Sequence, residues 1–496
     1  MNARVTPPTI DLAQQRKVAA ALREFLPAAS VLFETEDVRP YECDGLSAFR
    51  QLPMVVALPE TEAQVQRVLQ MCHRLRVPVV PRGAGTGLSA GALPLGNGVL
   101  LSLAKLMRIL DIDPLARAAR VQPGVRNLAI SEAAAPHGLY YAPDPSSQIA
   151  CSIGGNVAEN SGGMHCLKYG LTVHNILKLR AFTIEGELLE IGGDGLDAAG
   201  LDLLALLTGS EGLLAVTTEI TVKLLPKPER AQCVLAAFDD VVKAGQAVAN
   251  IIAAGIIPAG LEMMDKITTG AVEPFVNAGY PLDAEAILLC ESDGNSEEVT
   301  EEIERMRSVM QASGATEVRV SQSEAERVRF WAGRKAAFPA AGRVSPDYYC
   351  MDGTIPKRAL PRMLKAIADL SNEYGLRCMN VFHAGDGNLH PLILYDAGKP
   401  GELARTEEFG AKILKLSIDV GGTITGEHGV GVEKIDSMCD QFSSVELEKF
   451  HAVKHAFDEH GLLNPGKAVP TLHRCAEMGR MHVHGGQQKF PDLPRF

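Results

Sequence analysis

Two histidines, His383 and His390, flank a short Gly-Asp-Gly-Asn stretch in the sequence HAGDGNLHP. This stretch is typical of a turn, and the segments NVF and PLILY on either side have the composition of strands. In such a hairpin the two imidazoles can face each other, because cross-strand Cβ atoms lie about 5 Å apart. Facing imidazoles suit one metal ion, but histidines at a hairpin are also a common structural feature. The pair alone leaves both interpretations open.

A carboxylate further along the chain can complete such a site. Glu427 lies in the stretch GEHG, whose glycines let the backbone approach closely. Two histidines and one carboxylate with open positions suit a divalent catalytic metal such as zinc, manganese or iron(II). Asp386 is expected to be a turn residue or a partner of a ligand rather than a ligand.

Three loops rich in glycine and small polar residues fall in the first half of the chain, at 77–91, 143–163 and 208–212. The first formally satisfies G-x-G-x-x-A, but Pro94 and further glycines follow instead of the helix that a dinucleotide-binding fingerprint requires. Closely spaced glycines still allow backbone N–H groups to cradle an anion. The first loop alone could be a simple connector, but three such loops predict a groove for a long cofactor that carries phosphates.

Composition excludes several classes of protein. The net charge of -12 and the lack of clustered Lys and Arg argue against a nucleic-acid partner. The 10 cysteines contain no CxxC pair, which argues against an Fe–S cluster or a zinc–thiolate site within this chain and fits a reducing compartment. No apolar run is long enough for a transmembrane segment, and the N-terminal residues do not form a secretory signal.

The order of expected elements divides the chain into three parts. Strand and helix signals with the glycine-rich loops fill residues 1–228, and the Pro-rich stretch near 226–228 is the expected boundary. Residues 229–419 alternate strand-like and helical segments, and 420–496 contain GGTITGEHGVG, one helix and a polar tail that is expected to wrap the surface. Residues 142–175 are expected to be a long functional loop.

Several segments together resemble the FAD-linked 2-hydroxy-acid dehydrogenases, whose flavin-binding domain is of the vanillyl-alcohol-oxidase type. The matching segments are PRGAGTGLSAGALP, PDPSSQIACSIGGNVAENSGG, YGLTVHNIL, TGSEGLLAVTTEITVKLLP, HAGDGNLHP, GEHGVG and LLNPGK. YECDGLSAFR and TLHRCAEMG make the FAD subunit of glycolate oxidase the best match within this group. The resemblance covers about 40 to 475. It implies an α+β fold: a two-subdomain FAD-binding domain of the PCMH/VAO type and an α+β cap domain with an antiparallel sheet.

The resemblance also implies which residues contact FAD. The expected cofactor-binding residues are Arg82, Gly83, Ala84, Gly85, Thr86, Gly87, Ser89, Pro143, Asp144, Ser146, Ser147, Gly154, Gly155, Asn156, Asn160, Glu211, Ile220 and Asn464. No histidine lies between His73 and His137, so we expect FAD to be bound non-covalently.

Related members coordinate a divalent ion at the positions of His383, His390 and Glu427, which favours the metal interpretation. A metal-bound hydroxyl has a lowered pKa, and His428 is the candidate base for its proton. Arg334, in FWAGRKAAFPA, matches the arginine that would bind the substrate carboxylate. Cys350 stands where some diacid-oxidising members have a lysine, which favours a small monoacid. The remaining histidines, among them His165, His174, His482 and His484, are expected to be structural or solvent-facing.

The predicted function is FAD-dependent oxidation of a small 2-hydroxy acid, glycolate to glyoxylate and also D-lactate to pyruvate. The resemblance implies a complex with a second FAD-type subunit and an Fe–S subunit that passes electrons to the quinone pool. The expected location is the cytoplasm, at the inner membrane through those partners. The alternatives are a stand-alone D-lactate dehydrogenase and a non-catalytic flavin subunit. A nicotinamide enzyme is disfavoured by the missing helix after Gly87.

Overall fold

The computed structural model describes residues 10–195 and 200–471. Within these residues the α-helices in chain order are α1 (Leu12–Arg23), α2 (Thr35–Val38), α3 (Glu62–Leu75), α4 (Asn127–Ala134), α5 (Ile153–Glu159), α6 (Cys166–Tyr169), α7 (Leu203–Leu207), α8 (Val241–Ala253), α9 (Lys266–Val276), α10 (Ser296–Ala312), α11 (Glu324–Lys335), α12 (Ala337–Ala341), α13 (Leu360–Tyr374), α14 (Glu402–Asp419), α15 (Met438–Gln441) and α16 (Ser444–Phe457). The polar tail expected to wrap the surface lies largely outside the described residues, as do His482 and His484.

The strands form separate sheets that follow one another along the chain. They are β1 (Val31–Leu32), β2 (Val55–Ala57), β3 (Val79–Arg82), β4 (Val99–Ser102), β5 (Ile109–Asp113), β6 (Ala118–Val121), β7 (Leu139–Tyr140), β8 (Ile176–Phe182), β9 (Leu188–Gly192), β10 (Val216–Lys223), β11 (Leu225–Pro226), β12 (Arg230–Phe238), β13 (Gly260–Asp265), β14 (Ala286–Gly294), β15 (Glu317–Val320), β16 (Asp347–Cys350), β17 (Cys378–Phe382) and β18 (Pro391–Tyr395).

The first two large sheets belong to the part of the chain before the expected boundary at 228. One has the order β1-β2-β4-β3, with β4 parallel to both β2 and β3. The other has the order β5-β6-β10-β8-β9 and is antiparallel throughout. Strand β10 alternates buried and half-buried residues in VTTEITVK, as expected when one face of an antiparallel sheet packs on a core.

The C-terminal segment returns to the first sheet. The N–H of Val79 donates to the carbonyl of Leu462 (2.8 Å), and the N–H of Asn464 donates to the carbonyl of Val79 (2.7 Å). This pairing adds the segment beside β3, directly before the first glycine loop. Residues 462–464 therefore lie beside the start of β3.

A seven-stranded antiparallel sheet in the order β15-β12-β14-β13-β17-β18-β16 follows the boundary. Alternate residues of β12 point to two different cores: Val234, Ala236 and Phe238 pack in one, and Cys233, Leu235 and Ala237 in the other. Helices α8, α10 and α13 contribute to the first core, and α9, α11 and α12 to the second. We propose residues 229–419 as a cap domain and 420–496 as the segment that completes the site.

The expectation of a long irregular loop over 142–175 was wrong in part, because α5 and α6 lie within it. Ser152 caps α5 by accepting a hydrogen bond from the N–H of Gly155. A Cβ at Gly154 would lie 2.5 Å from Cβ of Pro123, so the glycine allows a close approach rather than a loop. Among the described residues, no helix is long and apolar enough to cross a membrane.

Candidate active site

One cavity of about 580 Å³ lies between the β1-β2-β4-β3 sheet, the β5-β6-β10-β8-β9 sheet and the seven-stranded sheet. The glycine loop after β3 forms one wall, and the beginning of α5 forms another. The expected cofactor-binding residues that line it are Arg82, Gly83, Ala84, Gly85, Thr86, Gly87, Ser146, Ser147, Gly154, Gly155, Asn156 and Glu211. Two loops separated by about 60 residues of sequence therefore face the same space.

Six expected cofactor residues do not line this cavity, and their contact with the cofactor stays a prediction. Ile220 is fully buried in β10. The other five make hydrogen bonds with protein groups. Ser89 Oγ donates to the carbonyl of His428, and Asn464 Nδ2 donates to the carbonyls of Gly91 and Glu211. The carbonyl of Pro143 accepts from Asn127 Nδ2, Asp144 accepts from His165, and Asn160 Oδ1 accepts from the N–H of Val173.

The two hairpin histidines face each other as the turn chemistry predicts. Their ring centroids are 4.9 Å apart, and the N–H of His383 donates to the carbonyl of Asn388. Gly387 has φ +81°, and a Cβ there would lie 2.1 Å from the carbonyl oxygen of Ile355. Both His383 and His390 are buried.

Glu427 meets both imidazoles. Its Oε1 lies 3.3 Å from Nε2 of His383 and 2.8 Å from Nε2 of His390. One potential ligand atom from each of the three residues falls within 4.8 Å of the other two. The glycine before the carboxylate is needed for this approach, since a Cβ at Gly426 would lie 2.5 Å from both Cγ of Asn388 and Oγ1 of Thr354.

A second triplet, Cys350, His390 and His428, also brings potential ligand atoms within 4.8 Å of one another. Burial raises the pKa of the Cys350 thiol well above its usual value, and Asp352 adds to this effect. A protonated thiol is a poor metal ligand. The cluster of His383, His390 and Glu427 is therefore the better candidate for a cation.

The charges of this cluster favour an ionised Glu427. Burial raises the pKa of this carboxyl, but His383 and the hydrogen bonds from the neighbouring imidazoles outweigh burial and hold the pKa well below its usual range. Burial likewise opposes the imidazolium of His383, but Glu262 and Glu427 raise its pKa to about 10. The ionised carboxylate of Glu427 and the imidazole of His383 therefore stabilise each other's charged forms.

The loop that carries Glu427 is anchored by Asp352, at the end of β16. This carboxylate is fully buried and accepts hydrogen bonds from the Thr425 hydroxyl and from the N–H groups of Gly426, Glu427 and His428. Lys434, also buried, places Nζ 3.2 Å from it. Burial raises the pKa of Asp352, but His428 and Lys434 lower it further than burial raises it.

Glu211 anchors the other end of the same loop. Its carboxylate accepts hydrogen bonds from the N–H groups of Val430 (2.6 Å) and Gly431 (2.7 Å). Because Glu211 also lines the cavity, this contact joins the loop to the wall of the cofactor groove. His390, Glu427 and His428 line the same cavity as the glycine loops.

Arg334, the expected carboxylate anchor, is fully enclosed and does not line the cavity. Its Nε donates to Oε2 of Glu262 (2.6 Å), whose Oε1 lies 2.6 Å from Nδ1 of His383. Nη1 and Nη2 of Arg334 have no hydrogen-bond partner in the part of the chain that the structure describes. Sequence reasoning missed Glu262, and the apolar strand GLEMMD that carries it offers no motif that could have revealed it.

Residues of the cap close the cavity beside the histidines. Phe338 packs edge-on against His390 (6.2 Å between centroids) and Tyr348 (6.0 Å). Both Phe338 and Tyr348 line the cavity, as does the exposed Lys335. Sequence reasoning placed none of these three residues in the site and expected Lys335 to be solvated, because their distance from the loops in sequence hides their position in space.

His165 connects the loop after β7 to strand β14 of the seven-stranded sheet. Nδ1 lies 2.7 Å from Asp144 Oδ2, and Nε2 lies 3.4 Å from Glu291 Oε1 on β14. Burial opposes a charged imidazole here, but Asp144 and Glu291 raise the pKa of His165 well above 6.5. The expectation of a structural histidine fits this position, whereas solvent exposure does not. His174 accepts a hydrogen bond from the N–H of Leu171 at a helix start.

Comparison with known proteins supports the FAD assignment. Residues 53–192 match the family described as FAD binding domain, and residues 227–468 match the family described as FAD linked oxidases, C-terminal domain. The chain is 66% identical over 479 residues to glycolate oxidase subunit GlcD of Escherichia coli (strain K12), which covers 97% of this chain and 96% of that protein. It is 33% identical to D-lactate dehydrogenase of Anaerostipes hadrus, over 85% of this chain and 90% of that protein.

The fold is also that of solved flavoenzymes. p-Cresol methylhydroxylase with bound substrate aligns with a TM-score of 0.79 at 17% identity, over 94% of this chain and 99% of that chain. This similarity confirms the predicted α+β fold class. Together with the extensive sequence identity, it shows that the chain belongs to the FAD-linked oxidase family that includes glycolate oxidase subunit GlcD and is an FAD-dependent oxidoreductase.

Proposed function

We propose that this protein oxidises a small 2-hydroxy acid, with glycolate as substrate and glyoxylate as product, and that it also accepts D-lactate. The observation that carries the proposal is that His390, Glu427 and His428 line the same cavity as the two glycine-rich walls. A cation-binding cluster and a cofactor groove therefore open onto one space. The E. coli relative, named as a glycolate oxidase subunit, supports this choice of substrate.

The residues of the groove fit a long cofactor that carries phosphates. Residues 83–87, Gly-Ala-Gly-Thr-Gly, present backbone with little side-chain bulk, and Gly154 and Gly155 do the same at the adjacent start of α5. Arg82 supplies positive charge, and its Nη1 is held by the carbonyl of Cys43 (2.7 Å). We infer non-covalent FAD, because the histidines lining the cavity, His390 and His428, belong to the ionic cluster.

The donor set of His383, His390 and Glu427 fits zinc, manganese or iron(II), since two imidazole nitrogens and one carboxylate oxygen converge in a buried position. When bound, FAD accepts a hydride and a divalent cation lowers the pKa of a coordinated hydroxyl. Burial of the cluster keeps bulk water from competing for these ligands. The chain's own residues must then bind the acid and take its proton.

His428 is the group we assign to take the hydroxyl proton. Its ring stacks on that of His390, with 5.0 Å between centroids, and Nε2 lies 3.6 Å from Glu427 Oε1. Nδ1 has no hydrogen-bond partner among the described residues and is available as the proton acceptor. Burial opposes protonation of His428, but Asp352 and Glu427 outweigh burial and raise the pKa of its imidazole.

Arg334 is the group we assign to the substrate carboxylate. Two buried guanidinium nitrogens that have no partner within residues 10–195 and 200–471 are costly, and an anion would satisfy both at once. Glu262 holds the third nitrogen and places the guanidinium next to His383. Because Arg334 is fully enclosed and does not line the cavity, an acid would reach these nitrogens only if the residues around Arg334 moved.

The walls of the cavity favour a small monoacid. Phe338 places an aromatic ring beside His390, and Tyr348 packs edge-on against Phe338. Cys350 is buried and uncharged at neutral pH, so this position offers no cation for a second carboxylate. A two- or three-carbon acid suits these walls better than a diacid.

Anaerobic mixing of the purified protein with glycolate, D-lactate and L-lactate tests the proposal through the loss of oxidised-flavin absorbance. Rapid bleaching by glycolate is expected, with slower bleaching by D-lactate and little by L-lactate. Treatment with a chelator should abolish bleaching while FAD stays bound, and added metal should restore it. Bound FAD that none of the three acids bleaches would refute a catalytic role for this chain alone.

We make two further proposals, on the preferred substrate and on the electron acceptor. The similarity to the A. hadrus enzyme favours a stand-alone D-lactate dehydrogenase as the second candidate, and faster bleaching by D-lactate than by glycolate would select it. Because the E. coli relative is named as a subunit, we propose that electrons leave through a second FAD-type subunit and an Fe–S subunit. Such a complex would place the protein in the cytoplasm at the inner membrane. A non-catalytic flavin subunit would not require the buried ionic cluster.

A further inference from the structure

We propose that Glu262 is a positioning residue that fixes the orientation and tautomer of His383, so that Nε2 of this histidine is presented to a divalent cation. This inference rests on the metal centre of the proposed function. It concerns a residue of the cap sheet that makes no contact with the cavity itself. Its predicted effect is on metal affinity.

Both carboxylate oxygens of Glu262 are held by buried partners. Oε1 lies 2.6 Å from Nδ1 of His383, and Oε2 accepts a hydrogen bond from Nε of Arg334 at 2.6 Å. The side chains of the three residues are 1%, 4% and 0% exposed, respectively. Antiparallel pairing sets this contact: Met263 lies opposite Phe382, so Glu262, one residue before Met263, is brought next to His383, one residue after Phe382.

A carboxylate at Nδ1 decides which imidazole nitrogen can bind a metal. A carboxylate only accepts hydrogen bonds, so a neutral His383 must carry its proton on Nδ1. The lone pair is then on Nε2, which faces Glu427 Oε1 at 3.3 Å. A carboxylate behind a metal-bound histidine also increases the basicity of the ligand.

Arg334 completes the arrangement. Its guanidinium balances the charge of Glu262 in the interior, where an unpaired carboxylate would be costly. It also occupies Oε2, so Oε1 is the oxygen left for His383. His390 differs, since its Nδ1 has no hydrogen-bond partner among the described residues. Of the two imidazoles, His383 is therefore the one whose metal-binding nitrogen is determined by a carboxylate.

The substitution Glu262→Gln tests this role with little change in shape. Arg334 Nε requires an acceptor, so the amide oxygen should turn to Arg334 and the amide nitrogen to Nδ1 of His383. That donor forces the proton onto Nε2, which then cannot bind a metal. The dissociation constant for Zn²⁺, measured on the full-length FAD-loaded protein by competition with a chelator, should rise about 10–100-fold.

Glu291→Gln is the matched control. Glu291 is a buried glutamate on the neighbouring strand β14, where it pairs with Arg327, but it does not contact the histidine cluster. It should change the Zn²⁺ dissociation constant by about twofold or less, even where it lowers stability. The FAD content of each variant reports whether the fold is intact.

A rescue experiment separates positioning from general damage. In Glu262→Gln combined with Arg334→Met, the amide oxygen is free to turn to His383, so Zn²⁺ affinity should recover several-fold relative to the single variant. If Glu262→Gln does not fold, Glu262→Asp keeps the charge but cannot reach both partners, and a weaker Zn²⁺ affinity in the folded variant is expected.

The outcomes distinguish this inference from the proposed function. Wild-type protein that binds no Zn²⁺ would overturn the metal centre and the role of Glu262 together. Wild-type binding with an unchanged affinity in the folded Glu262 variants, or an equal loss in Glu291→Gln, would overturn the positioning role alone. Weakened binding in the Glu262 variants with recovery in the double variant supports it.

Discussion

Replacing Asp352 by asparagine should lower the free energy of unfolding far more than the small change in side-chain size suggests. The Oδ2 atom of Asp352 accepts hydrogen bonds from the Thr425 hydroxyl (2.6 Å), the N–H groups of Gly426 (3.1 Å) and His428 (2.9 Å), and Lys434 Nζ (3.2 Å). The asparagine amide can present its oxygen to only some of these donors. It also removes the buried negative charge that faces Lys434.

The magnitude follows from the loss of one partner of a buried ion pair, which costs about 3–5 kcal/mol. Lys434 retains contacts with the carbonyl of Gly429 and with Glu433, so we expect the lower end, about 3 kcal/mol. Lys434→Met should cost a similar amount. The double variant should cost clearly less than the sum of the two single variants, because it removes both charges together.

Urea-induced unfolding measures these differences, and the metal-to-protein ratio reports whether the loop that carries Glu427 keeps its position. Asp369→Asn is the control, since Asp369 and its partner Lys365 are 63% and 69% exposed, and its loss should cost about 0.5 kcal/mol or less. The reasoning is refuted if Asp352→Asn loses less than about 1 kcal/mol, or if the costs of the two single variants simply add.

Three further outcomes are expected. His165→Asn should lower the free energy of unfolding by about 1–3 kcal/mol below pH 6.5. The difference from wild type should shrink as pH rises through the raised pKa of His165, because the stabilisation that a raised pKa provides is lost there. Denaturant titrations across this pH range measure the difference, and a difference that grew with pH would contradict the prediction. Gly426→Ala should reduce metal content and activity, since its Cβ would lie 2.5 Å from two side chains. The control Gly270→Ala lies in helix α9 with open space around it and should be neutral or stabilising by up to about 1 kcal/mol. An equal loss of metal in both variants would exclude the steric explanation. Phe338→Ala should raise kcat/KM for longer 2-hydroxy acids relative to glycolate, and an unchanged ratio would show that this ring does not limit substrate size.

The hairpin at residues 383–390 shows why part of the site was predictable. Turn residues and flanking strands place two imidazoles within reach of each other by local geometry alone, and the structure has this arrangement. The glycine loop at 82–87 is similar, because small residues next to a strand end predict an accessible backbone whatever the rest of the fold does.

The segment 142–175 shows where local reasoning was wrong. Its glycines predict a loop, but Ser152 caps a helix and Gly154 packs on Pro123, which is distant in sequence. The cofactor contact of Asn464 stays a prediction, and no single segment indicates that its side chain donates to the carbonyls of Gly91 and Glu211. Such roles depend on partners that a single segment does not reveal.

By itself, the sequence determined the family and the FAD-binding fold class, and it predicted the glycine loops, the histidine pair and Glu427 as site residues. Only the tertiary structure decided that these segments share one cavity, that Asp352 and Glu211 hold the loop of Glu427, and that Glu262 lies behind His383. The physical reason is that turn and glycine signals act over a few residues. Contacts between buried charges instead depend on strand pairing and packing across more than a hundred residues.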